Sequence, residues 1–382
     1  MHPLPTALDA LAVVTAVVWL GLVAAHGRFW TTAVRLPARA EPAAWPEMAV
    51  LVPARDEAAV LPETLPTLLA QRYPGRLRVV LVDDGSTDGT GELARALAAG
   101  SPVPLNVVPG EDRPAGWAGK VWAQQQAYRH AGAAEWLLLT DADIAHPPDG
   151  VAALVAAALG DGRDLVSLMA RLRVATGWER LIVPAFVYFF AQLYPFRWVA
   201  SGRVAAAAGG CVLVRRASLE SAGGFAAVRD AVIDDVSLAG ALHRSGARLW
   251  LGLADRVCSV RPYPRLGDLW HMVARSAYAQ LRRSPLLLAG TVLGLLLVYV
   301  APVATCLAGL AVGRPVAAVA GGLAWLLMTA SYLPQVRYAG QPVLVALSLP
   351  FVAVLYLLMT LDSARRHHLG RGAAWKGRAA VG

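Results

Sequence analysis

"WLLLTDADIAHP" (Trp136–Pro147) runs an apolar, strand-like segment straight into two carboxylates one residue apart, Asp141 and Asp143. If the chain stays extended where it leaves a sheet, positions two apart point to the same side. Both carboxylates would then face one crevice, with the small Ala142 between them. The plainer reading is a helix cap, since Asp is a favoured N-cap residue. The surrounding chain bears on the choice. "MAVLVPA" (48–54), "LRVVLVDDG" (77–85) and "PLNVV" (104–108) are short apolar runs without clean alternation, as is "EWLLLTD" (135–141). That is the pattern of strands covered on both faces. Between them, "EAAVLPETLPTLLAQ", "TGELARALAAG" and "AGKVWAQQQAYRHAG" have helical spacing and end at Gly or near Pro. The alternation predicts a doubly wound, mainly parallel α/β sheet, in which ligands bind beyond the carboxyl ends of the strands. Three acidic or basic clusters fall at such ends: Pro53 to Glu57, Asp83 to Asp88, and Asp141 with Asp143.

The rest of the composition points to a bilayer. Of 382 residues, 57% are hydrophobic and 16% charged, against roughly 25% charged in soluble domains. Four stretches, about 7–26, 286–312, 315–334 and 342–361, reach the ~20 apolar residues that a crossing needs. The first lacks a basic region before its apolar core and is followed by Arg28, Arg35 and Arg39, so it is expected to be an anchor with its C-terminal side in the cytoplasm. This divides the chain into an anchor and linker (1–43), a cytosolic domain with interfacial helices (44–284), and C-terminal membrane helices with a basic tail (285–382). Three further crossings would put the tail "SARRHHLGRGAAWKGR" outside, against the positive-inside bias. One of the last three spans is therefore expected to be re-entrant or interfacial. "WERLIVPAFVYFFAQLYPF" (178–196), broken by Pro184 and Pro195, suits an interfacial helix that presents a lipid, or else a core helix of the cytosolic domain. The net charge of +9 suits anionic headgroups, a nucleotide diphosphate or nucleic acid, and does not choose among them. Three cysteines, Cys211, Cys258 and Cys306, lack metal-site spacing and encode no disulfide framework.

Several phosphate-binding patterns are excluded. No GxGxxG follows the first strand, and "GWAGKV" ends in Val121 where a P-loop needs Ser or Thr. "DGSTDG" imitates the start of a calcium loop, but its twelfth position, counted from Asp84, is Arg95 rather than Glu. An acidic nucleotide site remains, in which a divalent cation offsets the repulsion between carboxylates and a diphosphate.

Taken together, "VPARDE" (52–57), "VDDGSTDGT" (82–90), "DAD" (141–143), "GGCVLVRRASLESAGGF" (209–225) and "IDDVSLAGAL" (233–242) resemble the family 2 inverting glycosyltransferases of the GT-A fold. They occur in the family's order and span nearly all of the cytosolic segment. The anchor, domain and membrane-cluster layout is similar to the ceramide glucosyltransferase-like branch. More narrowly, "GWAGKVWA" and "VARSAYAQLRRSPLLL" look like the hopene-associated glycosyltransferases of bacterial hopanoid synthesis.

The resemblance implies roles. Pro53, Arg55 and Glu57 would hold the nucleobase and ribose, and Asp83 and Asp84 would contact uracil or ribose, unless "DDGSTDGT" is only a connecting turn. Lys120 would lie near the sugar nucleotide, or be a solvated lysine that opens a helix. Asp143 would be a ligand of Mg2+ or Mn2+, and Asp141 would bind the ribose or the metal. Asp235 would be the base that deprotonates the acceptor hydroxyl, with Asp234 in place of the family's usual Glu; the pair could instead only cap a helix. The family's QxxRW motif is not intact. Arg275 is the preferred diphosphate contact, Gln280 with Arg283 the other candidate, and Arg282 and Arg283 could equally anchor headgroups. The motif's Trp is missing, which counts against a processive polysaccharide synthase. The implied partners are a UDP-linked or other nucleotide-sugar donor, a lipid acceptor such as a hopanoid, the bilayer and other enzymes of lipid synthesis, but not nucleic acid. The place implied is the bacterial inner membrane with the catalytic domain in the cytoplasm. A catalytically silent scaffold that keeps the fold is the alternative from another class.

Overall fold

The computed structural model describes residues 7–370 and the backbone of 4–6, 374–375 and 378–379. Contacts divide the described chain into two units.

The first comprises residues 34–173 and 196–262. Its sheet has eight strands: β1 (Met48–Ala54), β2 (Leu77–Asp83), β3 (Leu105–Pro109), β4 (Trp136–Thr140), β5 (Ile144–Ala145), β6 (Leu165–Arg171), β7 (Cys211–Arg215) and β8 (Leu249–Ser259). Their order is β3-β2-β1-β4-β7-β6-β8-β5. β1 pairs in parallel with β2 and β4, β2 with β3, and β6 with β8, whereas β7 runs antiparallel to both neighbours and β5 antiparallel to β8. The four strands expected from apolar runs are present, each joined to the next by a helix: Leu61–Leu69, Thr90–Leu97 and Gly119–Arg129. β1 and β4 are buried along their whole length, which explains why neither sequence alternates. Val50, Val52, Leu81, Leu138, Val166 and Leu213 sit in one core with Leu61, Leu65 and Leu68 of the first helix and Val151, Leu154 and Val155 of Gly150–Gly160. Because β8 runs parallel to β6 across a single reversed strand, its carboxyl end opens at the same mouth as those of β1, β2 and β4.

The second unit comprises residues 4–33, 174–195 and 263–370. Four of its helical segments are long and apolar enough to cross a membrane: Ala7–Ala25, Pro285–Ala311, Pro315–Tyr338 and Val343–His368. Large apolar side chains on them stay exposed, Leu286 at 84%, Val319 at 72% and Leu344 at 73%. Such faces suit hydrocarbon rather than water. Pro302 lacks an N–H and so leaves Val298 O, four residues earlier, without its helical donor. A π-helical turn, Leu296–Val300, precedes it, and Trp19 Nε1 donates to Val298 O at 2.7 Å. Gly321 permits close approach, since a Cβ there would lie 2.5 Å from Thr305 Oγ1 and 2.6 Å from Cys306 N.

The aromatic segment also belongs to this unit. It forms the helix Gly177–Leu193, which starts at a capping box of Thr176 and Glu179 and continues through Pro184. Tyr188 is buried against Phe29 and Tyr332, its hydroxyl 2.6 Å from Ser331 Oγ. The buried Glu179 carboxylate accepts from the N–H groups of Ala175, Thr176 and Tyr263 at 2.8, 2.9 and 2.7 Å.

Candidate active site

The loops after β1 and β2 are laced together by their own polar groups. Asp56 takes a positive φ of 49°, unusual for a residue with a side chain, and its Oδ1 accepts from Thr87 N at 2.8 Å. Thr90 Oγ1 accepts from Glu57 N at 2.8 Å, and Asp88 Oδ2 from Ala58 N at 2.9 Å. Arg55 donates to the carbonyls of Asp84 and Gly85. Asp84 is fully buried, with its Oδ2 3.9 Å from Arg55 Nη1, while Asp83 is half-buried and accepts from Ser86 N at 3.1 Å. Of this pair, Asp83 is therefore the one with an exposed face. Pro53 is buried inside β1, in register with Val82.

After β4 the chain does not stay extended, contrary to the expectation from sequence. Ile144 N donates to Asp141 O at 3.2 Å, which closes a tight turn around the buried Ala142. The apolar Ala142 and Ile144 must reach the core, and the turn takes them there. The two carboxylates remain close enough for Asp143 to repel Asp141, but each has its own cation. Asp141 Oδ1 is 2.7 Å from Lys120 Nζ, and Asp143 Oδ2 is 3.3 Å from Arg261 Nε. Ser259 Oγ donates to the same Asp143 oxygen at 2.6 Å. Arg261 Nη2 also reaches both oxygens of Glu57, at 2.8 and 2.7 Å.

Asp234 and Asp235 begin the helix Asp234–Arg244, where their charge favours the helix dipole, although neither is its N-cap residue. Asp234 Oδ2 lies 3.3 Å from Lys120 Nζ and accepts from Gln124 Nε2 at 3.0 Å. Asp235 accepts from Gly209 N at 2.6 Å and from Val236 N at 2.8 Å. Lys120 is thus shared by the DAD turn and the second acidic pair, rather than solvated. Burial alone would lower its ammonium pKa, but Asp141, then Asp234 and Asp235, hold it well above its ordinary value. Burial, with repulsion from Asp143 and Asp234, raises Asp141 despite Lys120. Burial and the neighbouring Asp234 raise Asp235 to about 6.

Behind the turn, Thr140 Oγ1 donates to Gly210 O at 2.8 Å, so the 2.9 Å contact to His146 Nε2 must use the histidine's proton. Burial lowers His146 to about 4 and keeps it neutral. Arg275, Gln280 and Arg283 lie in the unit of apolar helices. Arg275 and Arg283 are exposed, and Gln280 donates to the Tyr194 hydroxyl.

The sequence did not single out Arg261, Ser259, Gln124, Thr140 or His146. Gln124 stands one helical turn after Lys120, and "SVRPYP" follows a strand end at the acidic mouth, so the strand-end rule applied to β8 would have found Arg261. As to a metal, the carboxylates of Asp141 and Asp143 are hard oxygen donors of the type Mg2+ or Mn2+ prefers. Among the described residues no group of three or more His, Cys, Asp or Glu could hold such an ion. Asp141 and Asp143 would each offer such an ion one carboxylate, with phosphate oxygens and water as its other donors.

Residues 49–222 match the family model described as Glycosyl transferase family 2. Over those 174 of its 382 residues the chain is similar to the family 2 glycosyltransferases. Among solved structures, it is similar to a mannosyltransferase from Pyrobaculum calidifontis, in complex with GDP-Man and Mn2+. Identity is 21% over 93% of this chain and 99% of that one, with a TM-score of 0.56. The glucosyl-3-phosphoglycerate synthase of Mycobacterium tuberculosis, in complex with Mn2+ and UDP-Glc, matches at 20% identity over 62% of this chain and 79% of that one, TM-score 0.41. No curated protein matches the chain. At 21% identity the mannosyltransferase shows a shared fold, and the mixed, mostly parallel sheet of this chain is the GT-A sheet that the resemblance implies.

Proposed function

We propose that this chain is an inverting, membrane-anchored glycosyltransferase. It moves one sugar from a nucleotide-diphosphate donor, a UDP-sugar, to a hydroxylated lipid of the hopanoid type at the cytoplasmic face of the bacterial inner membrane. The observation that carries the reading is the linked array of Asp141, Lys120, Asp234 and Asp235, in which a carboxylate with a raised pKa stands beside the acidic turn of the domain.

Inverting transfer is a direct displacement at the anomeric carbon. The acceptor hydroxyl attacks, the glycosidic bond to the diphosphate breaks, and a base takes the hydroxyl proton. Asp235 is assigned as that base. At about 6, its carboxyl is ionised at neutral pH and still basic enough to accept a proton. The N–H groups of Gly209 and Val236 fix its two oxygens, so it meets the acceptor without reorganising. Asp234 orients Lys120, whose fixed charge lowers the cost of holding three carboxylates together. Asp141 and Asp143 would hold Mg2+ or Mn2+, which when bound supplies charge stabilisation to the departing diphosphate. Glu57, Arg55 and Asp83 line the loops assigned to the nucleoside. The four apolar helical segments support a lipid acceptor, because they would keep the domain at a surface where lipid hydroxyls are concentrated.

The test is to incubate the purified chain in detergent with a panel of UDP-sugars and GDP-mannose, with a hopanoid polyol and, separately, a total lipid extract. The expected result is a lipid heavier by one hexose or one N-acetylhexosamine. A ladder of additions would replace the reading with a polymer synthase. No product with any donor, and no metal-dependent nucleotide binding for Asp143→Ala to abolish, would leave the scaffold reading.

A further inference from the structure

Both carboxylates of the DAD turn already hold a cation. The pair at Asp143 involves a side chain to which the proposed mechanism gives no task. Arg261 leaves the end of β8 with its guanidinium forked between two carboxylates: Nε lies 3.3 Å from Asp143 Oδ2, and Nη2 lies 2.8 and 2.7 Å from the two oxygens of Glu57. The three side chains are 24%, 12% and 8% exposed, so little water screens them. Ser259 Oγ occupies the same Asp143 oxygen at 2.6 Å. A divalent ion bound at that oxygen would stand next to the guanidinium. Like charges at that range in a partly buried site repel strongly, so one of them must move.

Arg261 can move without losing its anchor, because Glu57 holds it separately from Asp143. A guanidinium released from one carboxylate keeps its remaining donors in a plane that matches phosphate as well as carboxylate. A nucleoside diphosphate arriving with the metal offers such an anion; a metal arriving alone does not.

We propose that Arg261 is the resident counter-cation of the donor site: it blocks Asp143 to a metal ion on its own, and passes from Asp143 to the diphosphate when metal and nucleotide bind together. This rests on reading the acidic mouth as the donor site and adds an order of assembly to it. By linkage, the same residue must weaken metal binding in the absence of nucleotide and strengthen the mutual dependence of metal and nucleotide. Arg261 is thus a positioning residue that couples two ligands.

The experiment measures Mn2+ affinity of the full chain in detergent, from the electron paramagnetic resonance signal of free Mn2+, alone and with saturating UDP or, in a parallel arm, GDP. The unsubstituted chain is expected to bind Mn2+ at least about tenfold more tightly with nucleotide. Arg261→Gln is expected to bind Mn2+ alone about tenfold more tightly than the parent, with the nucleotide enhancement reduced to threefold or less. Tighter binding is a readout that general damage to the site would not produce. If Arg261→Gln does not melt like the parent, Arg261→Lys carries the test. Its single ammonium cannot span Glu57 and Asp143 together, so Mn2+ alone should bind about threefold more tightly and the enhancement should fall. Mn2+ binding alone that is unchanged or weaker in the folded variant, or a full enhancement retained, overturns the inference. If the unsubstituted chain binds neither nucleotide with Mn2+, the donor-site reading fails as well. If it binds one of them normally and Arg261→Gln alters nothing, only the role of Arg261 fails.

Discussion

Gly209 sits where the proposed base, Asp235, is held, and Gly209→Ala crowds that contact. A Cβ at this position would stand 3.1 Å from Asp235 Oδ2 and 3.3 Å from Lys120 Nζ. Both distances are shorter than an ordinary van der Waals contact of 3.4–4 Å, so the carboxylate or the ammonium must retreat by a few tenths of an ångström. The retreat stretches the 2.6 Å hydrogen bond from Gly209 N to Asp235, a charge-assisted bond of the kind that contributes ~1.5–3 kcal/mol when intact. Losing about half of the upper figure, ~1.4 kcal/mol, corresponds to a tenfold lower kcat. Gly209 has no left-handed backbone angle, so the substitution introduces a steric push without backbone strain. Steady-state transfer assays in detergent should give kcat lower by about tenfold to a hundredfold, with donor KM within about threefold and Tm within about 2 °C of the parent. The added methyl comes nearer to Asp235 than to Lys120, and Lys120 stays paired with Asp141 and Asp234, which is why the loss should fall on kcat rather than on donor KM. A kcat within twofold of the parent would refute the placement of Asp235 as the base, as would a loss expressed only in KM.

Three further outcomes are expected. Transfer should fall as pH drops through about 6, by tenfold per unit well below it, because Asp235 must be ionised to take a proton; a kcat profile flat from pH 7 to 5 would exclude Asp235 as the group titrating. His146 is held neutral in the fold down to about pH 4 but takes a proton below about 6.5 when unfolded, so the fold loses up to about 3 kcal/mol as pH falls from 6.5 to 4. His146→Gln should flatten that slope in thermal melts, and an unchanged slope would contradict it. Glu179→Ala removes the acceptor of three backbone N–H groups and should cost about 3 kcal/mol, lowering Tm in detergent by roughly 5 °C or more. An unchanged Tm would mean that water replaces the carboxylate there.

Much of this chain is legible without coordinates, for an identifiable reason. Strands covered on both faces leave apolar runs, bilayer-length helices leave longer ones, and both signals are local. β1, β2, β3 and β4 and the four apolar spans therefore lie close to where the sequence places them. Acidic residues at strand ends were legible for the same reason, since a doubly wound sheet gathers those ends at one mouth.

What the sequence could not supply is any pairing between distant segments. The reversed strand β7 has the same buried, apolar look as the strands on either side of it, and direction is set by the connection rather than by composition. The turn at Asp141 depends on the core beneath Ala142 and Ile144. The partners of the acidic cluster come from positions far apart in the chain: Lys120 to Asp141 and Asp234, Gly209 to Asp235, Arg261 to Glu57 and Asp143. The sequence by itself determined which residue types the mouth of the sheet would contain. Only the tertiary structure decided which charges neutralise which, because Coulomb energy depends on distance in space and carries no trace of separation along the chain.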